Sequence, residues 1–324
     1  MGTSEPTDSD DGGNGEPIAR RSVLAAVGAA AVMPSVSPVT GNRANRMASP
    51  TGDRAILRVR VYPTPLPPHV TARYGLTGGN GGWPPPHRGA WEAVSDAMAQ
   101  LAAYATEHSA FEHVSSTVDA MDPIDVSNGA VDSPLDVVSP TRQGVLDAFR
   151  SALHERNDRT ELACHLLLWW GPGHFRVGYG GTRRETSHVG ERPEEGSYAV
   201  ANVGATERWD SRSVTRNIAI HEVLHTFLEP TVVEPIVGTR CDHDLGSAVR
   251  VDERTLRVSP MGTAYAGPNE IGGGTRFHGT GCFHHDSFYH HDGHDGVDRF
   301  EYTTDLSEGT LEAGTDYVER HFRN

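Results

Sequence analysis

The sequence places two histidines and a glutamate in one short apolar segment, His221-Glu222-Val223-Leu224-His225. Residues four apart on an α-helix lie one turn apart on the same face, so both imidazoles can bind a single ion. Glu222 projects to one side of that ion, where a carboxylate can take a proton from water without being a ligand. The spacing therefore predicts a metal centre that activates water.

The helix that must carry this motif is predicted over 211–228. It is apolar nearly all round, through Ile218, Ala219, Ile220, Val223, Leu224, Phe227 and Leu228. A helix of this kind is buried, and burial of two imidazoles and a carboxylate is costly unless each is satisfied. A metal ion satisfies them. A histidine pair held by structural hydrogen bonds is the competing interpretation.

A third ligand is required, because a catalytic zinc usually takes three protein ligands and leaves one position open. The first candidate is His243, in the segment Cys241-Asp-His-Asp-Leu-Gly246. The carboxylates on either side of His243 can orient its second ring nitrogen. Asp242, Asp244 and the histidine-rich segment 278–294 remain alternatives for this position.

The motif, together with Val258-Ser-Pro-Met-Gly262, resembles the zincin metallopeptidases and, among them, the metzincins. The resemblance implies Met261 as the methionine of a Met-turn beneath the metal, and Tyr265 as a second catalytic residue that stabilises the oxyanion. It also implies that Zn²⁺ is the metal. The family pattern would place Gly at 228 and His at 231, whereas this chain has Leu228 and Thr231.

The fold that the resemblance implies is α+β. It has a mixed, twisted β-sheet backed by two helices, an active-site helix that carries the motif, and a C-terminal helix. The implied activity is that of a secreted endopeptidase, in which Glu222 activates a metal-bound water to hydrolyse a peptide or protein substrate. A strand near 197–203 is expected to pair with the extended substrate. The alternative is a non-catalytic secreted metal-binding protein on the same scaffold, with segment 278–294 as its working part.

Periodicity predicts the other elements. Strict alternation predicts a half-buried strand over 55–62, and continuous apolar runs predict buried strands. The predicted elements are strands over 55–62, 162–170, 174–180 and 197–203, a helix marked by Trp91, Val94, Met98, Leu101 and Ala105, a helix capped by Ser139, and a C-terminal helix over 305–322. The polar stretch 110–138 has no assignment, and Pro230 and Pro235 argue against a second helix directly after the motif.

The chain has three cysteines. Cys164 lies within an apolar run, where a buried free thiol is expected. Cys241 and Cys282 lie in loop-like surroundings and are the candidates for a disulfide, which an extracellular location would permit.

Composition and the N-terminus predict where the protein works. Asp and Glu number 43 against 28 Lys and Arg, for a net charge of -15, and no residue is lysine. Such an acidic surface is typical of proteins from extreme halophiles, where salt screens self-repulsion. Nucleic acid is not an expected partner, since no basic stripe is present. Arg20-Arg21 and the apolar run 22–33 resemble a twin-arginine export signal, and this run is too short to span a bilayer. The predicted organisation is a signal peptide and tail over 1–37, a linker over 38–53, and a single metzincin-like domain over 54–324.

Overall fold

A parallel sheet begins with the alternating segment that the sequence predicts as a strand. In β1 (Arg54–Pro63), Leu57, Val59 and Val61 are fully buried, and Arg58 on the opposite side is exposed. The structure is a computed structural model that describes residues 54–74, 82–126, 140–157, 163–173, 176–184, 196–262 and 288–322. All of them belong to one unit, Met47–Asn324. The predicted divisions at 37 and 53 lie outside the described residues and stay predictions.

The described residues of the first half form a five-stranded sheet. Its other strands are β2 (His113–Ala120), β3 (Ala163–Trp169), β4 (Gly180–Arg183) and β5 (Ser197–Asn202). The strand order is β2-β1-β3-β5-β4, with β4 antiparallel to β5 at one edge and every other pair parallel. Every residue of β3 and β5 is buried, as expected for central strands covered on both faces.

Helices cover both faces of this sheet, so the two helices predicted to back it do not share a face. The helices are α1 (Pro68–Tyr74), α2 (Pro85–His108), α3 (Arg142–Glu155), α4 (Val203–Trp209), α5 (Arg212–Leu224), α6 (Pro230–Val237) and α7 (Glu308–His321). On one face, α2 and α5 join Leu57 and Leu166 in the larger core cluster. On the other, α3 packs Phe149 against Tyr62 and Tyr198.

In the described part of the chain, a second sheet of four strands follows α6, where no strand was predicted. It consists of β6 (Ser247–Asp252), β7 (Thr255–Val258), β8 (His290–His291) and β9 (Arg299–Tyr302), in the order β8-β6-β7-β9. Two 3₁₀ turns flank the β6–β7 hairpin, one at Asp242–Leu245 and the other at Pro260–Gly262. The mixed α and β content agrees with the predicted α+β class.

Several predicted boundaries are wrong for local reasons. Residues 176–179, within the strand predicted over 174–180, form turns with Gly178 at a φ of 71°, and β4 begins only at Gly180. The helix predicted from Ser139 begins at Arg142, because Thr141 supplies the cap by accepting a hydrogen bond from Gly144 N–H. The unassigned stretch 110–138 contains β2.

Two further predictions about helices need correction. Pro230 does not prevent a helix after the motif: it occupies the first turn of α6, where its missing N–H has no partner to lose, and the helix tolerates Pro235 near its end. The C-terminal helix α7 forms despite two glycines. Gly314 lies where a Cβ would come within 2.6 Å of Leu101, so its small size lets α7 approach α2 closely.

Candidate metal centre

Helix α5 carries the histidine–glutamate motif into the core. Ser211 caps its start by accepting a hydrogen bond from Val214 N–H, and Ile218, Ile220 and Leu224 are buried around it. The helix ends at Leu224, four residues before the predicted end. The following turn tightens to i→i−3 bonds, from Thr226 N–H to Val223 O at 3.0 Å and from Phe227 N–H to Leu224 O at 2.9 Å. His225 is therefore the C-cap of the helix.

Three imidazoles converge at this point, His221 and His225 from α5 and His243 from the first 3₁₀ turn. One ligand atom from each lies within 4.8 Å of those of the other two. The Nε2 atoms of His221 and His225 are 3.0 Å apart, and the ring of His243 is centred 5.0 and 4.9 Å from their rings. The structure thus brings together the three residues that the sequence predicts as ligands.

The Nδ1 atoms of the two motif histidines have their own acceptors. His221 Nδ1 is 2.8 Å from the Pro260 carbonyl oxygen, and His225 Nδ1 is 2.7 Å from Asp242 Oδ2. When both rings are neutral, a proton on each Nδ1 leaves each Nε2 with a lone pair, and the two lone pairs face each other across 3.0 Å. A shared cation removes that repulsion, so this donor set fits a metal ion.

The electrostatics favour neutral imidazoles at two of the three positions. Burial and the neighbouring histidines hold the pKa of His221 well below its usual range. Burial, with the charge of His225, lowers the pKa of His243 to about 3. Burial also opposes the charged form of His225, but the Asp242 carboxylate outweighs it and raises the pKa of that histidine. A metal binds the neutral ring, which is the form that His221 and His243 adopt.

The aspartates considered as alternative ligands have other partners. Asp242 Oδ2 accepts the hydrogen bond from His225, and Oδ1 lies 3.8 Å from His243 Nδ1. The sequence predicted that this carboxylate orients His243, whereas its short contact is to His225. Asp244 accepts a hydrogen bond from the Thr239 hydroxyl. The identity of the third ligand stays a prediction. Of the candidates that the structure describes, His243 is the one whose imidazole converges with those of His221 and His225.

The turn that carries His243 is anchored by the C-terminal helix. Ser307, the N-cap of α7, donates its hydroxyl hydrogen bond to the Leu245 carbonyl oxygen, and Thr310 Oγ1 lies 3.3 Å from the same oxygen. Leu245 itself is fully buried. The position of His243 therefore depends on residues more than sixty positions later in the chain.

Glu222 lies in the core beside the imidazoles. Thr182 Oγ1, on β4, is 2.9 Å from Glu222 Oε2. Burial raises the pKa of the Glu222 carboxyl to about 7, although the charge of His225 and the hydrogen bond from Thr182 both lower it. A Cβ at Gly180 would come within 2.4 Å of Glu222 Oε1, so only glycine leaves room for the carboxylate there. The edge strand thus fixes the predicted general base.

Met261 is fully buried in the second 3₁₀ turn, Pro260–Gly262. This turn packs against α5 and supplies the carbonyl oxygen of Pro260 to His221. The methionine therefore belongs to the segment that holds a predicted ligand in place. Its role as a Met-turn stays a prediction.

Tyr265, Cys282 and most of the histidine-rich segment lie outside the described residues. Cys241 is disulfide-bonded and Cys164 has a free, buried thiol, while the pairing of Cys241 with Cys282 stays a prediction. In the described part of segment 278–294, His290 pairs with Asp292 at 2.8 Å on the surface. Within the described ranges, the groups able to hold a metal do not include this cluster.

The strand predicted to pair with substrate is an interior one. β5 (Ser197–Asn202) is hydrogen-bonded to β3 on one side and to β4 on the other, so it has no free edge. Among the described residues, β4 is the edge strand on this side of the sheet. It also bears Gly180 and Thr182, which contact Glu222.

Two residues of the site, Thr182 and Arg184, were not predicted, because the sequence around them shows no recognisable pattern. Thr182 belongs to a four-residue strand without alternation, and Arg184 follows it directly. Arg184 donates to the His225 carbonyl oxygen at 2.7 Å and contacts Asp242. One signal in the sequence could have drawn attention to this segment. It is the pair of adjacent arginines at the end of Gly180-Gly-Thr-Arg-Arg184, which is unusual in so acidic a chain.

The likeness of this chain to known proteins is distant. No protein-family model matches the chain, and no curated protein matches it. Among solved structures, the crystal structure of metalloproteinase-II from Bacteroides fragilis is similar over 56% of this chain, at 11% identity and a TM-score of 0.29. The match covers 44% of that protein, so this chain spans less than half its length.

No helix among the described residues is both long enough and apolar enough to cross a membrane.

Proposed function

We propose that this protein is a zinc-dependent peptidase, with His221, His225 and His243 as the metal ligands and Glu222 as the general base. The observation that carries the proposal is the convergence of the three imidazoles beside a buried carboxylate. Each motif histidine has its Nδ1 atom occupied by an acceptor, which directs Nε2 toward the common centre. This is the arrangement that metal-binding histidines use.

Zinc is the metal that this donor set suits best. Imidazole nitrogens suit zinc and other transition metals, whereas calcium and magnesium take oxygen ligands. Three protein ligands leave one coordination position open, as in catalytic zinc sites. When bound here, zinc would supply a Lewis acid that polarises a carbonyl group and lowers the pKa of water.

Glu222 performs the proton transfer in this proposal. A carboxyl group with a pKa of about 7 is matched to acid–base work near neutral pH, since it can take up and release a proton in the same cycle. It accepts a proton from the attacking water and returns it to the leaving amine. The Thr182 hydroxyl orients the carboxylate toward the imidazoles during both transfers.

An extended peptide is the substrate that the edge strand favours. β4 pairs with β5 on one side, and its other side forms the edge of the sheet in the described part of the chain. An extended chain can add to such an edge through main-chain hydrogen bonds. Because Gly180 and Thr182 also contact Glu222, a peptide bound to β4 lies next to the general base. This supports a peptide substrate over an ester.

We also propose that the protein is exported through the twin-arginine route and works at high salt. The supports are Arg20-Arg21 with its apolar run and the net charge of -15 without lysine. Replacing both arginines by lysine is expected to retain the folded protein in the cells, while the unaltered precursor reaches the medium. Equal amounts of both proteins in the medium would contradict the proposed route.

The central experiment compares the wild-type protein with Glu222→Gln at molar salt, using an unfolded protein as substrate. We expect one tightly bound zinc ion in each, cleavage by the wild type that a chelator stops and zinc restores, and no cleavage by Glu222→Gln. Undiminished cleavage by Glu222→Gln would exclude the mechanism. A wild-type protein that binds zinc and cleaves no peptide would instead favour the non-catalytic metal-binding alternative.

A further inference from the structure

One arginine joins three parts of the metal centre. The guanidinium of Arg184 donates from Nε to the His225 carbonyl oxygen at 2.7 Å and from Nη2 to the Leu228 carbonyl oxygen at 2.8 Å. Nη2 also lies 3.2 Å from Asp242 Oδ2. Arg184 itself follows the edge strand β4. A single side chain therefore links the edge strand, the end of the motif helix and the turn that carries His243.

The two carbonyl contacts satisfy groups that a helix end leaves open. The last carbonyls of a helix have no partner within it, and this end carries a partial negative charge. Arg184 satisfies the carbonyl oxygen of His225, the C-cap of α5, and that of Leu228 in the turn that follows. Arg184 does so with a positive charge, which fixes the backbone of a predicted ligand, His225.

The contact with Asp242 reaches the other side of the site. Asp242 Oδ2 is shared between Arg184 Nη2 and His225 Nδ1, at 3.2 and 2.7 Å. The side chains of Arg184 and Asp242 are 25% and 16% exposed, so the pair is shielded from water for the most part. Because Asp242 immediately precedes His243, holding its carboxylate also holds the turn from which His243 points.

We infer that Arg184 is a positioning residue for the metal site. It clamps the turn of Asp242 and His243 onto the end of the motif helix, so that the three imidazoles converge before a metal binds. The inference rests on the proposed function only in taking these imidazoles as metal ligands. Lysine cannot replace arginine here, since one ammonium group does not present the planar fork that reaches two carbonyls and a carboxylate together.

The test is the zinc affinity of Arg184→Gln and Arg184→Lys, measured by competition with a chelator of known affinity at fixed pH and salt. Loss of a group that orients metal ligands typically costs about 10- to 100-fold in affinity, and we expect both variants to show it. The control is Arg183→Gln. Arg183 precedes Arg184 on the chain, points to the other side of the strand and pairs with Asp147 at 2.9 Å. Its zinc affinity should match that of the wild type.

Two further measurements separate positioning from simple stabilisation. The absorption spectrum of the cobalt-substituted protein reports the ligand geometry, and we expect it to change in the Arg184 variants and not in Arg183→Gln. In the double variant with Asp242→Asn, the two losses of zinc affinity should fall short of additive, because both changes break the same contact. Circular dichroism and the thermal midpoint of the metal-free proteins show whether each variant folds, and Arg184→Lys provides the milder change if Arg184→Gln does not.

A lower thermal midpoint with unchanged zinc affinity and unchanged cobalt spectrum would overturn the inference, since Arg184 would then be only a helix cap. Zinc affinity reduced as much by Arg183→Gln would overturn it too. If the wild type binds zinc but cleaves no peptide, the proposed activity fails. The effect of Arg184 on zinc affinity can still be measured in that case, so the two failures are distinguishable.

Discussion

The hydroxyl of Thr182 lies 2.9 Å from Glu222 Oε2 and 2.6 Å from the backbone carbonyl oxygen of the same residue. A hydroxyl has one hydrogen to donate, so both acceptors of Glu222 compete for it. Through Thr182, the edge strand β4 therefore contacts both the carboxylate and the backbone carbonyl of Glu222, the predicted general base. The orientation of the carboxylate depends on the position of β4.

Thr182→Val removes this hydroxyl and keeps the shape of the side chain. A hydrogen bond to a charged group is worth about 1.5–3 kcal/mol, so we expect kcat to fall about 10- to 100-fold. Zinc affinity should stay unchanged, because both acceptors of the Thr182 hydroxyl belong to Glu222 and neither belongs to an imidazole. Steady-state peptide cleavage measures the fall in kcat, and competition with a chelator measures the zinc affinity. The matched control is Thr71→Val, in α1. A loss of zinc affinity in Thr182→Val would contradict the role given to Thr182.

Gly180→Ala is expected to displace the carboxylate directly. The new methyl group would meet Glu222 Oε1 at 2.4 Å and the Val200 carbonyl oxygen at 2.6 Å, and the second of these belongs to rigid backbone. Overpacking of this kind costs about 1–3 kcal/mol of stability. We expect peptide cleavage to fall more than stability alone explains, while the folded variant still binds zinc. Gly173→Ala is the control, since a Cβ there meets nothing within 4 Å, and equal losses in both variants would refute the steric argument.

The third ligand can be identified by comparing two variants. We expect His243→Ala to weaken zinc binding more than Asp242→Asn, because the first removes a ligand and the second only the carboxylate that orients one. The loss for Asp242→Asn should be about 10- to 100-fold. Zinc titrations of both variants give the order of affinities. The reverse order would assign the third position to Asp242.

The buried His87 predicts a dependence of stability on pH. Its ring is fully buried and stacks on Trp170 at 6.0 Å, and burial lowers its pKa to about 4. Above pH 6.5 this histidine is neutral in both the folded and the unfolded chain. As the pH falls from 6.5 to 4, the unfolded chain takes up a proton that the folded protein does not, so the free energy of unfolding decreases by about 3 kcal/mol.

His87→Phe keeps an aromatic ring against Trp170 and cannot be protonated. The difference in the free energy of unfolding between wild type and His87→Phe should therefore shift in favour of the variant as the pH falls from 7.5 to 4. Denaturant unfolding at several pH values measures this difference, and other titrating groups cancel in it. A difference that is constant across that range would show that His87 does not titrate as the structure indicates.

The sequence was informative where the pattern is local. Alternation in 55–62, the apolar runs of β3 and β5 and the apolar surface of α5 each follow from burial of neighbouring residues, and these elements are present. The pair His221 and His225 is likewise a local spacing on one helix. The second sheet was not predictable in the same way, because β6 and β9 contain exposed charged residues and are defined by pairing with distant strands.

The parts of the site that were missed depend on distant contacts. Arg184 contacts residues about forty to sixty positions away in the sequence. Nothing in the sequence next to Arg184 indicates that its side chain binds the C-terminal end of α5. The same holds for Asp242, which lies 3.8 Å from the expected partner His243 and makes its shorter contact, at 2.7 Å, with His225. Helix α6 was rejected because of its prolines, although a proline at the start of a helix is favourable.

The anchoring of Leu245 by Ser307 and Thr310 has a consequence for biosynthesis. A nascent chain that ends before α7 already contains His221, His225 and His243, yet lacks the side chains that hold the third imidazole in place. Tight zinc loading would then come only after α7 has left the ribosome and docked. A product truncated before α7 would therefore be released without the ion.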